Sequence, residues 1–200
     1  MGAESPAASQ AFDQVRAGAR KGYVLASNSG VCVEERYPVA LNLGSGKVHW
    51  DGWVNVDLYS DTADFKCDLR QLDFSNNHAD AIAAIHVLEH FYHWEVEPLL
   101  TEWKRVLKPG GKLILELPCM DKVLGYALRC LQQKEAMQPF MTLHAMYGDP
   151  RHEDPAMCHK WGWFQKELLK VLESLHFREI TVCEPRYHFP FRDMRIECIK

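Results

Sequence analysis

The chain has no stretch approaching the roughly 20 consecutive apolar residues of a membrane-crossing helix, so no membrane partner is expected. It has no C-x-x-C pair either. Its seven cysteines, Cys32, Cys67, Cys119, Cys130, Cys158, Cys183 and Cys198, are scattered and odd in number, and several sit in apolar runs. That pattern reads as buried free thiols in a reducing compartment rather than as a disulfide framework. The first residues lack the basic-then-apolar order of a secretory signal, and Pro6 stands where a myristoylation signal needs Ser or Thr. The expected location is therefore cytoplasmic. An excess of basic residues is missing as well. The formal net charge is -4, which disfavours nucleic acid as a partner.

What is present suits one soluble domain. Hydrophobic residues make up 47% of the 200 positions and charged residues 25%, enough for a sizeable core. The informative stretch is Val39-Ala40-Leu41-Asn42-Leu43-Gly44-Ser45-Gly46, followed by Trp53-Val54-Asn55-Val56-Asp57. It reads as a buried strand, a glycine turn, a second strand and an acid at that strand's tip. A turn without Cβ atoms lets backbone approach a ligand, and the acid can accept from a ribose diol. A dinucleotide site would need a third glycine where His49 stands, with its acid farther along the chain. A phosphate loop would need Ser or Thr where Val48 stands. A plain strand-turn-strand remains open at this point.

Along the chain, residues 1–38 read as an N-terminal arm whose first ten are disordered, and 39–200 as one folded domain. Strands are expected at 39–43, 53–57, 64–67, 79–86 and 112–117, with a closing pair at 178–183 and 194–199. Residues 95–107 place Val96, Leu99, Leu100, Trp103, Val106 and Leu107 on one helical face, and Lys108-Pro109-Gly110-Gly111 ends the helix. Further helices are expected at 121–135 and 164–175, with 136–160 irregular. Alternating strands and helices imply an α/β three-layer sandwich. Its sheet is doubly wound, mostly parallel and seven-stranded, and it closes with an antiparallel C-terminal pair.

At this point the chain resembles the class I S-adenosylmethionine-dependent methyltransferases. Leu41-Asn42-Leu43-Gly44-Ser45-Gly46 is similar to their glycine-rich motif, and Asp57 to the acid after the second strand. Cys67-Asp68-Leu69 resembles the pair along adenine, and Ala79 to Phe91 the strand signature ending in H-V-L-E-H. Leu107-Lys108-Pro109-Gly110-Gly111 resembles the turn before the fifth strand. The resemblance is strongest over 39–120. It implies S-adenosyl-L-methionine as cofactor, touched by Leu43, Gly44, Ser45, Gly46, Asp57, Leu58, Asp68, Leu69 and His86. Two features depart from it: Asn42 replaces a common acid, and the interval from Gly44 to Asp57 is too short for the usual first helix. Such shortening is similar to small methyltransferases of sugar and cell-surface polysaccharide metabolism.

The densest titratable cluster is His86, Glu89, His90 and His93. His90 is a candidate general base; the alternative is that H-V-L-E-H caps a helix and shapes a pocket. His86-x-x-x-His90 has metal-ligand spacing, but Val87 stands where His-Glu-x-x-His needs its Glu. No metal is expected. A second cluster runs through His144, Tyr147, Asp149, Arg151, His152, Glu153, Asp154 and His159, where His159 is the second candidate base. Its alternative is a solvated loop. Trp161, Trp163, Tyr187 and Phe189 could stack on a sugar or pack a core. The catalytic candidates are thus His86, Glu89, His90 and His159. The expected activity is O-methylation of a small-molecule or saccharide acceptor. A protein or RNA acceptor, or an inactive cofactor-binding scaffold, are the alternatives.

Overall fold

The computed structural model describes residues 37–200, so the expected arm lies outside the described residues except for Tyr37 and Pro38. Six strands form one sheet: β1 (Ala40–Leu43), β2 (Val54–Val56), β3 (Ala79–Ile85), β4 (Leu107–Pro118), β5 (Arg178–Cys183) and β6 (Asp193–Ile199). Their order is β2-β1-β3-β4-β6-β5. The first four run parallel, and β6 is antiparallel to both neighbours. The expected third strand at 64–67 is not one. It shrinks to a single parallel bridge between Phe65 and Val56, so the sheet has six strands rather than seven.

The helices are α1 (His93–Val106), α2 (Met120–Gln133), the short α3 (Leu143–Tyr147) and α4 (Gln165–Ser174). Three 3-10 turns, Leu88–His90, Pro139–Met141 and Pro155–Met157, interrupt the segments between them. The Lys108 to Gly111 stop does not leave the sheet. Ala79 pairs with Leu107 and Ala81 with Lys112, so the intervening residues bulge out of β4.

The two faces of the sheet differ in chemistry. Leu41, Leu43, Val54, Val56, Ile82, Leu113, Leu115, Met194 and Ile196 pack with Val96, Leu99, Leu100 and Trp103 of α1 and Leu168 and Leu172 of α4. The other face carries Ala40, Ala81, Ala83 and Ile114 under Trp53, with Tyr37 and Trp50 against them. It also buries charge: Glu116 is 0% exposed and Arg195 0% exposed, 3.3 Å apart as an ion pair. Glu116 further accepts from the backbone N–H groups of Arg186, Tyr187 and His188 at 2.9, 2.8 and 3.2 Å. The loop between β5 and β6 thereby covers this face, with Tyr187 stacked on Trp50.

The connection from β1 to β2 lacks a helix, as the short interval foretold, and buried amides hold it in place. Asn55 is fully buried. Its Oδ1 accepts from Trp50 N and Asn42 Nδ2 at 2.9 and 3.0 Å, while its Nδ2 donates to Trp53 O at 3.0 Å and Asp64 Oδ2 at 2.9 Å. Asn42 is therefore engaged beneath the loop.

Candidate active site

The glycine turn leaves β1 under tight steric control. Gly44 has φ +67°, and a Cβ there would lie 2.6 Å from Val87 Cγ2 and 3.6 Å from Leu69 Cδ1. Only glycine lets the turn rest on the segment that follows β3. Gly46 has φ +54°, yet a Cβ there would meet nothing within 4 Å. Its N–H donates to Asp57 Oδ2 at 2.8 Å, and Asp57 Oδ1 accepts from Tyr59 N and Ser60 N at 2.8 and 2.9 Å. Asp57 thus ties the two strand tips together and keeps lone-pair capacity on Oδ2. Ser45 is buried, and its hydroxyl has no hydrogen-bond partner among the described residues. Open space above Gly46, an orphaned hydroxyl and an anchored carboxylate fit a ligand rich in hydroxyl and amino groups.

The remaining expected cofactor contacts divide. Leu43 and Leu69 are core residues, and Leu69 forms the floor under Gly44. Leu58 is exposed. Asp68 lies at the surface, where its Oδ1 accepts from Arg70 N at 2.9 Å and pairs with the Arg70 guanidinium.

His86 leaves β3 with φ +55°, an uncommon conformation for a residue with a Cβ. Both ring nitrogens are engaged. Nδ1 lies 3.0 Å from Glu89 Oε1, and Nε2 lies 3.1 Å from Asp193 Oδ2. Burial pulls the pKa of His86 down, but Glu89 and Asp193 outweigh it and raise it to about 9. His86 is therefore a fixed positive charge at neutral pH, which corrects its place among the candidate bases. His188 lies over it at 4.0 Å between ring centroids and is kept neutral by burial and by the charge beneath it. Asp193 is fully buried and also accepts from Arg192 Nε at 2.6 Å and Phe189 N at 3.2 Å. Burial opposes its ionisation, yet His86 and Arg192 bring its pKa down to about 2.

Glu89, His90 and His159 meet although 69 positions separate His90 from His159 in the sequence. The chain after α3 is laced to the turn at Leu88–His90. Lys160 N donates to Glu89 O at 2.6 Å, and Lys160 Nζ to His90 O at 3.0 Å. His159 Nδ1 faces Ala145 O at 2.9 Å and His90 Nδ1 faces Cys158 O at 3.3 Å. A carbonyl can only accept, so each Nδ1 carries a proton, and in the neutral tautomer the lone pair is then on Nε2. Burial is the chief influence that lowers the pKa of His159. Glu89 is 2% exposed; burial pushes against its ionisation, but His86, with help from His90 and His159, brings its pKa down to about 2.

Other residues of the two sequence clusters serve the loop itself. Asp149 pairs with Arg151 at the surface, and Asp154 accepts from Ala156 N at 2.9 Å to start a 3-10 turn. His93 Nε2 pairs with Glu167 at 3.2 Å, away from Glu89. Trp163 is buried and Tyr187 packs on Trp50, whereas Trp161 and Phe189 are exposed. Sequence reading missed Asp193 and His188, because their link to His86 spans more than a hundred residues and follows no motif spacing.

Residues 44–115, from the glycine turn through β4, match a family described as a methyltransferase domain. No curated protein matches the chain by sequence. A solved S-adenosylmethionine-dependent methyltransferase from Archaeoglobus fulgidus superposes with a TM-score of 0.54 at 15% identity, over 80% of this chain and 85% of that one. A possible histamine N-methyltransferase from Thermotoga maritima gives 0.55 at 15% identity, over 84% of each chain. The 1,6-didemethyltoxoflavin-N1-methyltransferase of Burkholderia thailandensis, solved with S-adenosylhomocysteine, gives 0.52 at 15%, over 81% of this chain and 70% of that one. The matched segment is thus a methyltransferase domain, and the fold is the one seen in solved S-adenosylmethionine-dependent methyltransferases.

Proposed function

We propose that the enzyme methylates a hydroxyl of a small molecule or saccharide. The observation that carries this reading is the pair of imidazoles beside Glu89, each with Nδ1 held against a backbone carbonyl, which leaves Nε2 as the nitrogen available to an acceptor. S-adenosylmethionine supplies an activated methyl on a sulfonium. The residues must therefore orient the acceptor and take its proton. In this reading His159 Nε2 accepts the hydroxyl proton, Glu89 stabilises the imidazolium that forms, and His86 holds Glu89 in place. Exposed Trp161 and Tyr147 offer flat apolar faces of the kind on which sugars stack. Asn42, which suggested an inactive scaffold, is accounted for by its bond to Asn55.

The test is transfer of label from S-adenosylmethionine to a panel of sugars and other hydroxylated compounds. The His159→Asn variant should lose about 10²–10⁴-fold in turnover while still binding the donor. Label that enters protein or RNA, and none of the small acceptors, would refute the reading.

A further inference from the structure

We infer that Glu89, His90 and His159 form a binding site for a divalent transition-metal ion. One ligating atom from each residue lies within 4.8 Å of the other two. Three independent observations make this a built site. First, Glu89 is 2% exposed; its Oε1 faces His86 as an ion pair, and its Oε2 has no hydrogen-bond partner among the described residues. A buried carboxylate oxygen without a donor is costly unless something positive completes it. Second, both histidines have Nδ1 against a backbone carbonyl, at 3.3 Å for His90 and 2.9 Å for His159. That is the arrangement by which metal-ligating imidazoles are oriented and their tautomer fixed. Third, the lacing of Lys160 to Glu89 and His90 holds the two ligand-bearing segments together without the ion.

The neighbouring group of His86, His188 and Asp193 has similar spacing but unsuitable chemistry. Both nitrogens of His86 are committed to carboxylates, so it is an imidazolium with no lone pair to give. The expectation of no metal rested on Val87 standing where His-Glu-x-x-His needs its Glu. The histidine that completes the set is His159, which no local spacing could reveal.

Two imidazoles with one carboxylate favour zinc, cobalt, manganese or iron over magnesium and calcium, which prefer all-oxygen sites. Three protein ligands leave coordination open, as in catalytic rather than structural sites. Nitrogens about 2.0–2.1 Å from zinc lie roughly 3.4 Å apart, so ligand atoms that now lie within 4.8 Å of one another close by at most about 1.4 Å on binding. This inference goes beyond the proposed function and does not depend on it. With an ion bound, the lone pair of His159 is committed to it, so His159 serves as a base only in the ion-free chain.

The experiment is titration of the chelator-treated full chain with Co²⁺, followed by visible d–d absorption and by calorimetry. One ion per chain is expected, with at least a tenfold loss of affinity in His90→Ala and in His159→Ala. His188→Ala should bind as the native protein does. Glu89→Gln is isosteric, but the site is buried, so its fold is checked before its binding is read. His90 is only partly buried, so its variant carries the test if Glu89→Gln fails, with circular dichroism reporting the fold. Absence of Co²⁺ binding, or binding unchanged in both histidine variants, would overturn the inference. Donor binding and methyl transfer measured in chelator report separately on the proposed function, so the two readings can fail independently.

Discussion

Gly44 and Gly46 share a left-handed backbone, yet their surroundings predict different losses on substitution. Alanine at either position costs about 1–2 kcal/mol for the conformation alone. At Gly46 nothing lies within 4 Å of the added Cβ, so the loss of stability should end there. At Gly44 the new methyl would lie 2.6 Å from Cγ2 of Val87, which is 4% exposed and has little room to move. Overpacking of that kind adds about 1–3 kcal/mol, which brings Gly44→Ala to about 2–5 kcal/mol in total. Adding Val87→Ala removes the clash but not the backbone cost, so a double-mutant cycle should show a favourable coupling of about 1–3 kcal/mol. The same cycle between Gly46 and Val87 should show none. Urea unfolding without S-adenosylmethionine measures both cycles. The reasoning is refuted if Gly44→Ala is no worse than Gly46→Ala, or if Val87→Ala fails to rescue it. Calorimetry on the same variants separates fold from binding. Gly46→Ala should retain most stability and lose donor affinity, because its Cβ enters space the ligand needs.

Three further outcomes are expected. Asp57→Ala should weaken S-adenosylmethionine binding at least tenfold by calorimetry, since it frees three N–H groups of the cradle as well as removing an acceptor. Asn55→Ala should cost at least about 3 kcal/mol in chemical denaturation, because it strands several buried polar groups at about 1–3 kcal/mol each; a loss below about 1 kcal/mol would mean that the amide is not the clamp. Asp193 has a folded pKa of about 2 against an ordinary aspartate value of 3.8, so its stabilisation is present above pH 3.8 and is lost as pH falls through 2. The gap in stability between native protein and Asp193→Asn should therefore shrink by about 2 kcal/mol from pH 5 to pH 2; a constant gap would show that the His86 and Arg192 pairs are not its source.

The elements with strong periodicity were legible from residues alone. The face of α1, the glycine turn and the closing strand pair all stand where the pattern put them. The strand expected at 64–67 failed because Asp64 directs its side chain into the ladder. Its carboxylate accepts from Asn55 N at 2.7 Å, where a longer strand would continue pairing. Asn55 itself reads as a polar residue facing outward until the short connection folds over it. At the site, His90 and Glu89 could be singled out because they are neighbours in sequence. What they do depends on His159 and Asp193, which the loop after α3 and strand β6 deliver from far along the chain.

The buried Glu116–Arg195 pair has a consequence for how the protein is made. Pairing of β6 with β4 aligns Glu116 with Arg195 and alternates them with leucines and isoleucines that belong to the opposite face. A slip of β6 by one residue would drive Arg195 into the apolar side and leave Glu116 without it, so this edge closes in one alignment or not at all. A nascent chain that still lacks Arg195 has a carboxylate that no earlier strand can neutralise. Strand β6, which follows the other strands of the sheet in the chain, therefore acts as a latch. Until it arrives, the central strands lack a settled second face, and partly synthesised chains are the species most in need of chaperone protection.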